Sequence, residues 1–376
     1  MNNTVEQPPL QNHLQKQNDI LPKGIVNLGN TCYLNACIQI LSQIEPLWTI
    51  MQNHSSSRNP TCIENPLWKQ WRDIMFIMQS STSNDRRESL YPNGFLSTIQ
   101  SISKQKKQSF FQEHAQEDVG EFIQFFFASL HSCMRRPFHI SIQGRAQNNT
   151  DNLALEVYKH LKDLYMRDEH SEIQDLCTGV LVNMIDPLYK NGNDIGGEHT
   201  QEHYRITPDV FNVLNLPIPA KSATDPSKSL NIYDCLNKFS QNEILEKENS
   251  WFNEKTNRKE DVRKYIRFWS FPKVLWISLN RSSYDGRKIT DLVQYPLELD
   301  LSSYCIGYKR TEQVFDLVGI CNHMGTVQYG HYTCFVRKDG QWYHCNDIQI
   351  QKVEDTRHLE TPYASCLVYV KKNTVV

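Results

Sequence analysis

Residues 24–41 read Gly-Ile-Val-Asn-Leu-Gly-Asn-Thr-Cys-Tyr-Leu-Asn-Ala-Cys-Ile-Gln-Ile-Leu, a polar, glycine-punctuated turn that runs into an amphipathic helix. Leu34, Cys37, Ile38 and Leu41 recur at i, i+3, i+4 and i+7, one face of a helix. Asn30 or Thr31 is placed to be the N-cap. Cys32 then falls in the first helical turn, where unpaired N–H groups and the helix dipole favour negative charge. A thiol there is expected to ionise more easily, and the thiolate is the nucleophilic form. Asn27, in the turn before the helix, is expected to donate its amide to an oxyanion formed beside the sulfur. By itself, a cysteine opening such a helix is ordinarily a core residue; a second stretch, far along the chain, argues for more.

That stretch is His323 to Asp347. His331–Arg337 alternates as a strand, Asp339-Gly340 is a two-residue hairpin turn, and a return strand starts at Gln341. This turn pairs Lys338 with Gln341, Thr333 with Asn346 and Tyr332 with Asp347. Alternation places His331, Thr333 and Asn346 on one face, with Asn346 diagonal to His331 and within side-chain reach. Tyr332 and Asp347 point the other way, and a slip of one residue would exchange Asn346 for Asp347. The constellation is a nucleophile, Cys32, a base, His331, and an orienting amide, Asn346.

These stretches resemble the cysteine and histidine boxes of the ubiquitin-specific proteases. Gln116-Glu117-Asp118-Val119-Gly120-Glu121-Phe122 resembles that family's QQDAxEF box, residues 271–281 its LPxVLxxxLxRF strand, and residues 363–370 its closing strand. The likeness covers about residues 23–371 and implies an α+β, papain-like fold. Its parts would be a helical thumb (about 23–165), β-sheet fingers (about 166–265) and an antiparallel β palm (about 266–371), flanked by a disordered lead-in (1–22) and a short tail (372–376). The implied activity is thiol-dependent hydrolysis of the (iso)peptide bond after the C-terminal glycine of ubiquitin, through a thioester. In such an enzyme Asp347 would support the oxyanion or the histidine. Gln116 and Asp118 match positions that contact the extended, arginine-containing tail of ubiquitin, a charge-assisted pairing for Asp118, although Asp118 and Glu121 can also simply complement a helix dipole. Tyr332 and His323 match positions lining or near the channel for that tail. The sequence departs from many relatives in lacking both CxxC pairs of a structural zinc site in the finger region, and Cys345 stands where phenylalanine is frequent.

The rest of the chain sets bounds. Its 376 residues carry a net charge of −2, which gives no bias toward nucleic acid or anionic membranes. Eleven cysteines without regular spacing or a signal peptide point to free thiols in a reducing, intracellular compartment, cytoplasmic and/or nuclear. No apolar run approaches the ~18 residues of a membrane span. The partners expected are ubiquitin or ubiquitinated proteins; no cofactor or metal is expected, and no feature specifies an oligomeric state. Helices are expected at 67–79, 118–134 and 158–165, and strands at 273–280, 314–322, 331–337, 341–344 and 365–370. Lys104, Lys106 and Lys107 read as solvated surface or, alternatively, a nuclear signal. His199-Thr200-Gln201-Glu202-His203 fits H-x-x-E-H, a metalloprotease pattern that requires a helix, yet it lies between Gly196-Gly197 and Pro208 with no apolar helical face. The rival functions are therefore a metalloprotease, a non-catalytic ubiquitin-binding scaffold, and a peptidase for another ubiquitin-like modifier.

Overall fold

The computed structural model describes residues 21–79, 88–111, 115–190, 193–194, 203–221 and 229–372. The Cys32 stretch forms α1 (Cys32–Leu41), all of whose residues are buried. A helix covered on every side is a core element, which explains why its polar positions hold neutral amides and no charge. Around it stand α2 (Glu45–Asn53), α3 (Asn65–Gln79), α4 (Asn93–Gln105) and α5 (Val119–Met134). Aromatic side chains lock this layer: Trp71 meets Phe126 edge-on at 4.9 Å, and Tyr33 meets Phe122 at 5.9 Å.

Helices α3 and α5 fall where periodicity places them. Asp118 caps α5, its carboxylate accepting the Glu121 N–H at 3.0 Å. Helix α4 escapes the periodicity because serines, threonine and glutamines dilute its pattern, yet Phe95, Leu96, Ile99 and Ile102 line one buried face. The lysine cluster is its C-terminal end, where cations suit the dipole. Lys106 there pairs with Glu64, and Lys107 turns left-handed (φ 55°) to end the helix. The expected helix at 158–165 extends in both directions as α6 (Asn149–Asp168), followed by α7 (Glu172–Cys177), which opens with a Ser171–Gln174 capping box.

Two sheets, beside three two-stranded pairs, carry most of the remaining described residues. The smaller contains β1 (Gly179–Pro187), β2 (Arg205–Phe211), β4 (Glu243–Leu245) and β5 (Val262–Ser270) in the order β2-β1-β5-β4, all antiparallel; β3 (Val213–Pro217) belongs to the larger one. Helix α6, on the thumb side of the boundary expected near 165, packs Ala154 and Val157 onto this small sheet against Val180, Val182 and Trp269. The larger sheet has eight strands. Its others are β6 (Val274–Asn280), β7 (Glu298–Asp300), β8 (Val314–Gly325), β9 (Gly330–Lys338), β10 (Gln341–Asn346), β11 (Gln349–Val353) and β12 (Ala364–Lys371). The order is β11-β10-β9-β8-β12-β6-β3, with β7 against β8, and β6–β3 is the parallel pair. The last strand, β12, thus lies in the middle of the sheet.

Alternation divides the larger sheet's side chains between two cores. Cys321, Cys334, Val336 and Val368 face α1 and its neighbours, whereas Ile320, Phe335, Leu367 and Tyr369 face the opposite core with α8 (Ile232–Phe239). The hairpin turn is Asp339-Gly340, both left-handed (φ 49° and 81°), and Lys338 pairs with Gln341 as the two-residue loop requires. Of the H-x-x-E-H motif, His199 and Glu202 lie outside the described residues. His203 sits beside β2, its Nδ1 at 2.6 Å from an oxygen of buried Asp186, whose other oxygen accepts the Tyr265 hydroxyl at 2.7 Å. Among the described residues no group of three or more histidine, cysteine or acidic side chains is arranged to hold a metal.

Candidate active site

The site lies on the seam where α1 packs against β9 and β10. The turn before α1 uses Gly29 (φ 98°) and Asn30 (φ 54°) in left-handed conformations, and the Asn27 side-chain oxygen closes it. That oxygen accepts the N–H of Gly29 at 3.0 Å, the N–H of Thr31 at 3.2 Å and the Thr31 hydroxyl at 3.3 Å. Thr31 occupies the N-cap position, yet its hydroxyl accepts from the Leu28 N–H and leaves α1 without a side-chain cap. Uncapped amides at a helix start are ready donors for an anion.

Cys32 opens α1 and is almost fully buried. The expectation of an easily ionised thiol is corrected here. Burial pushes the Cys32 thiol up and the nearby Asp347 carboxylate adds to the rise. The backbone amides of Tyr332, Tyr33 and Cys32 itself pull the other way without cancelling it. Desolvation outweighs the helix terminus, so the thiol requires a base to ionise. The Tyr332 amide in that set belongs to the residue after His331, which fixes where β9 passes the sulfur.

His331 Nε2 lies 2.8 Å from Asn346 Oδ1. Because an amide oxygen only accepts, that contact puts the proton on Nε2 and leaves Nδ1 as the basic nitrogen. Asp347 faces elsewhere, as the unslipped register requires. It turns left-handed (φ 53°) and bridges to the first helix: Oδ1 accepts from Asn35 at 2.8 Å, Oδ2 from Asn27 at 3.0 Å, and its backbone oxygen from the Ile25 N–H at 3.0 Å. One N–H of the Asn27 amide is thereby committed to Asp347. Sequence reasoning misses Asn35, although its signal is present: an amide three positions after Cys32 in a largely apolar helix, 2% exposed.

The four expected substrate contacts divide. Asp118, Tyr332 and His323 line one cavity of about 390 Å³ together with Ser278, Asn280 and Lys288. The His323 ring stacks on Tyr332 at 4.5 Å, and burial first, then the Lys288 ammonium, depress its pKa to about 4. Lys288 donates to His323 Nδ1 at 3.0 Å and to its carbonyl at 2.7 Å. Gln116 is set apart from this cavity. Its amide donates to the Gly330 carbonyl at 2.8 Å and accepts the Gly330 N–H at 2.7 Å.

The chain is similar to known proteins along most of its length. The family profile described as ubiquitin carboxyl-terminal hydrolase matches residues 23–369. The Drosophila melanogaster ubiquitin carboxyl-terminal hydrolase Usp2 is 26% identical over 354 residues, 92% of this chain and 34% of that protein. Human ubiquitin carboxyl-terminal hydrolase 21 is 28% identical over 359 residues, 89% of this chain and 59% of that protein. The chain thus spans between about a third and three-fifths of the length of these curated relatives. Among solved structures, the SAGA Ubp8/Sgf11/Sus1/Sgf73 DUB module bound to ubiquitin aldehyde superposes with a TM-score of 0.66 at 21% identity, covering 94% of this chain and 70% of that one. At that identity the likeness speaks for the fold.

Proposed function

The chain belongs to the ubiquitin carboxyl-terminal hydrolase family, and from that premise we propose that it is a cysteine deubiquitinase cleaving the (iso)peptide bond after the C-terminal glycine of ubiquitin. The observation that supports this reading is a buried thiol at the start of a helix that packs on the strand carrying His331, whose ring is paired with Asn346. In the proposed mechanism, His331 Nδ1 takes the Cys32 proton and the thiolate attacks the terminal glycine carbonyl. The oxyanion accepts from the second N–H of Asn27 and from the uncapped amides of α1. His331 then protonates the leaving lysine amine, and water, deprotonated by His331, cleaves the thioester. Asp347 serves this chemistry by holding Asn27 and Asn35 in place.

The ubiquitin tail would run through the cavity lined by Asp118, Tyr332 and His323. One Asp118 oxygen caps α5, and the other is available to an arginine of the tail. All eleven cysteines are free thiols, which supports residence in a reducing intracellular compartment. No helix among the described residues is long and apolar enough to cross a membrane. The decisive experiment is incubation with ubiquitin bearing a C-terminal electrophile, read by intact mass. A single covalent adduct that disappears in Cys32→Ala is expected. No adduct, or one that survives the substitution, overturns the proposal.

A further inference from the structure

We infer that Gln116 positions His331 and does not contact the ubiquitin tail; the inference rests on the reading of His331 as general base. Gly330 directly precedes His331 at the start of β9. On one side β9 is paired with β8, Gly330 opposite Gly325 and His331 opposite Met324. On the other side the ladder to β10 runs from Lys338 only as far as Cys334, so the first residues of β9 have no strand on that flank. Gln116 fills the gap. Its carboxamide, offering a donor and an acceptor in one plane, makes to Gly330 the two bonds that the opposing residue of a neighbouring antiparallel strand would make.

The clamp also explains why position 330 is a glycine. A Cβ there would lie 2.2 Å from the Met324 carbonyl oxygen and 2.3 Å from His323 Nε2. The backbone just before the base is therefore enclosed by β8, the His323 ring and the Gln116 amide. With Gln116 removed, the Gly330–His331 segment loses its outer partner and the imidazole its fixed distance to Asn346. A displacement of about an ångström at a reacting group costs on the order of 10²-fold in rate. Gln116 and Asp118 lie two residues apart on the same lead into α5, so one short segment holds both the base and one wall of the tail cavity.

Steady-state kinetics on a ubiquitin C-terminal fluorogenic amide separate the two roles. A positioning role predicts that Gln116→Ala lowers kcat about 10- to 100-fold with KM within about twofold of wild type. Gln116→Glu keeps an acceptor for the Gly330 N–H and loses the donor until the carboxyl is protonated. Its deficit relative to wild type should therefore narrow as pH falls toward about 4.3, the ordinary glutamate value. A raised KM with kcat intact, or no change in either constant, overturns the inference. Amide hydrogen exchange reads the clamp without turnover. Faster exchange at Gly330 in Gln116→Ala, with α5 unaltered, supports it; unchanged exchange overturns it, even if the wild-type protein proves inactive on ubiquitin and the functional reading fails separately.

Discussion

Of the described histidines that meet a side-chain oxygen at hydrogen-bonding distance, one lies in the larger sheet and one beside the smaller. His331 meets the Asn346 amide at 2.8 Å, and His203 meets the Asp186 carboxylate at 2.6 Å. Judged by the pair alone, His203 with its carboxylate is the stronger candidate for chemistry. Their surroundings reverse the ranking. His331 stands on the strand that packs against α1, the helix opened by the buried thiol. His203 lies at the edge of a single sheet, next to a cavity lined by Glu156, Tyr204, Trp251 and Glu254, a set without a thiol. Asp186 is moreover shared with Tyr265, as expected of a carboxylate that fastens two strands together. A histidine with a partner is therefore a common structural device, and reactivity comes from the junction that surrounds it.

Substitutions at the two places test that contrast. The largest effect is expected at the seam: Cys32→Ala should lower kcat/KM at least about 10³-fold, whereas His203→Ala should change it less than about twofold, both measured on ubiquitin with a fluorogenic leaving group. Comparable losses at both would erase the distinction. Next, Asn346→Ala should cost about 10²-fold in kcat by freeing the ring of its orientation and tautomer.

A third comparison concerns stability. Asp347→Ala removes the shorter of the two bonds donated by the buried Asn35 amide, leaving the one to the Ile25 carbonyl, and should destabilise by about 1–3 kcal/mol while also slowing turnover. Tyr265→Phe, which removes a bond to Asp186, should cost about 1 kcal/mol in denaturant unfolding and leave kcat unchanged. The smallest effect concerns pH. His323 has its pKa depressed to about 4 in the folded state, against about 6.5 unfolded. The unfolded chain binds the extra proton between these values, so stability should be fully present above about 6.5 and decline as pH falls toward 4. His323→Gln should flatten that acid limb of the unfolding midpoint.

Much of this is legible in the sequence where one period dominates. The α1 and α5 patterns and the Asp-Gly turn locate three of the elements that frame the seam, and the turn also sets the His331–Asn346 diagonal. What stays hidden depends on contacts between segments far apart in the chain. Asn35 and Asp347 are 312 residues apart, and Gln116 and Gly330 are 214 apart; no local pattern encodes either bond. The Cys32 expectation fails for a related reason. A helix terminus can be read from neighbouring residues, but the burial that dominates the thiol comes from strands that arrive much later. Helix α4 is obscured by its polar residues, and Lys288 by a loop that folds back onto His323.

The position of β12 has a consequence for how the enzyme comes into being. Strand β12 lies between β8 and β6, so the sheet that presents the hairpin remains in two pieces until residues 364–371 have been made. Until that strand docks, a chain that already contains Cys32 lacks the complete sheet that carries His331 and Asn346. Closure of the larger sheet by β12 would thus be the step that fixes the hairpin against α1.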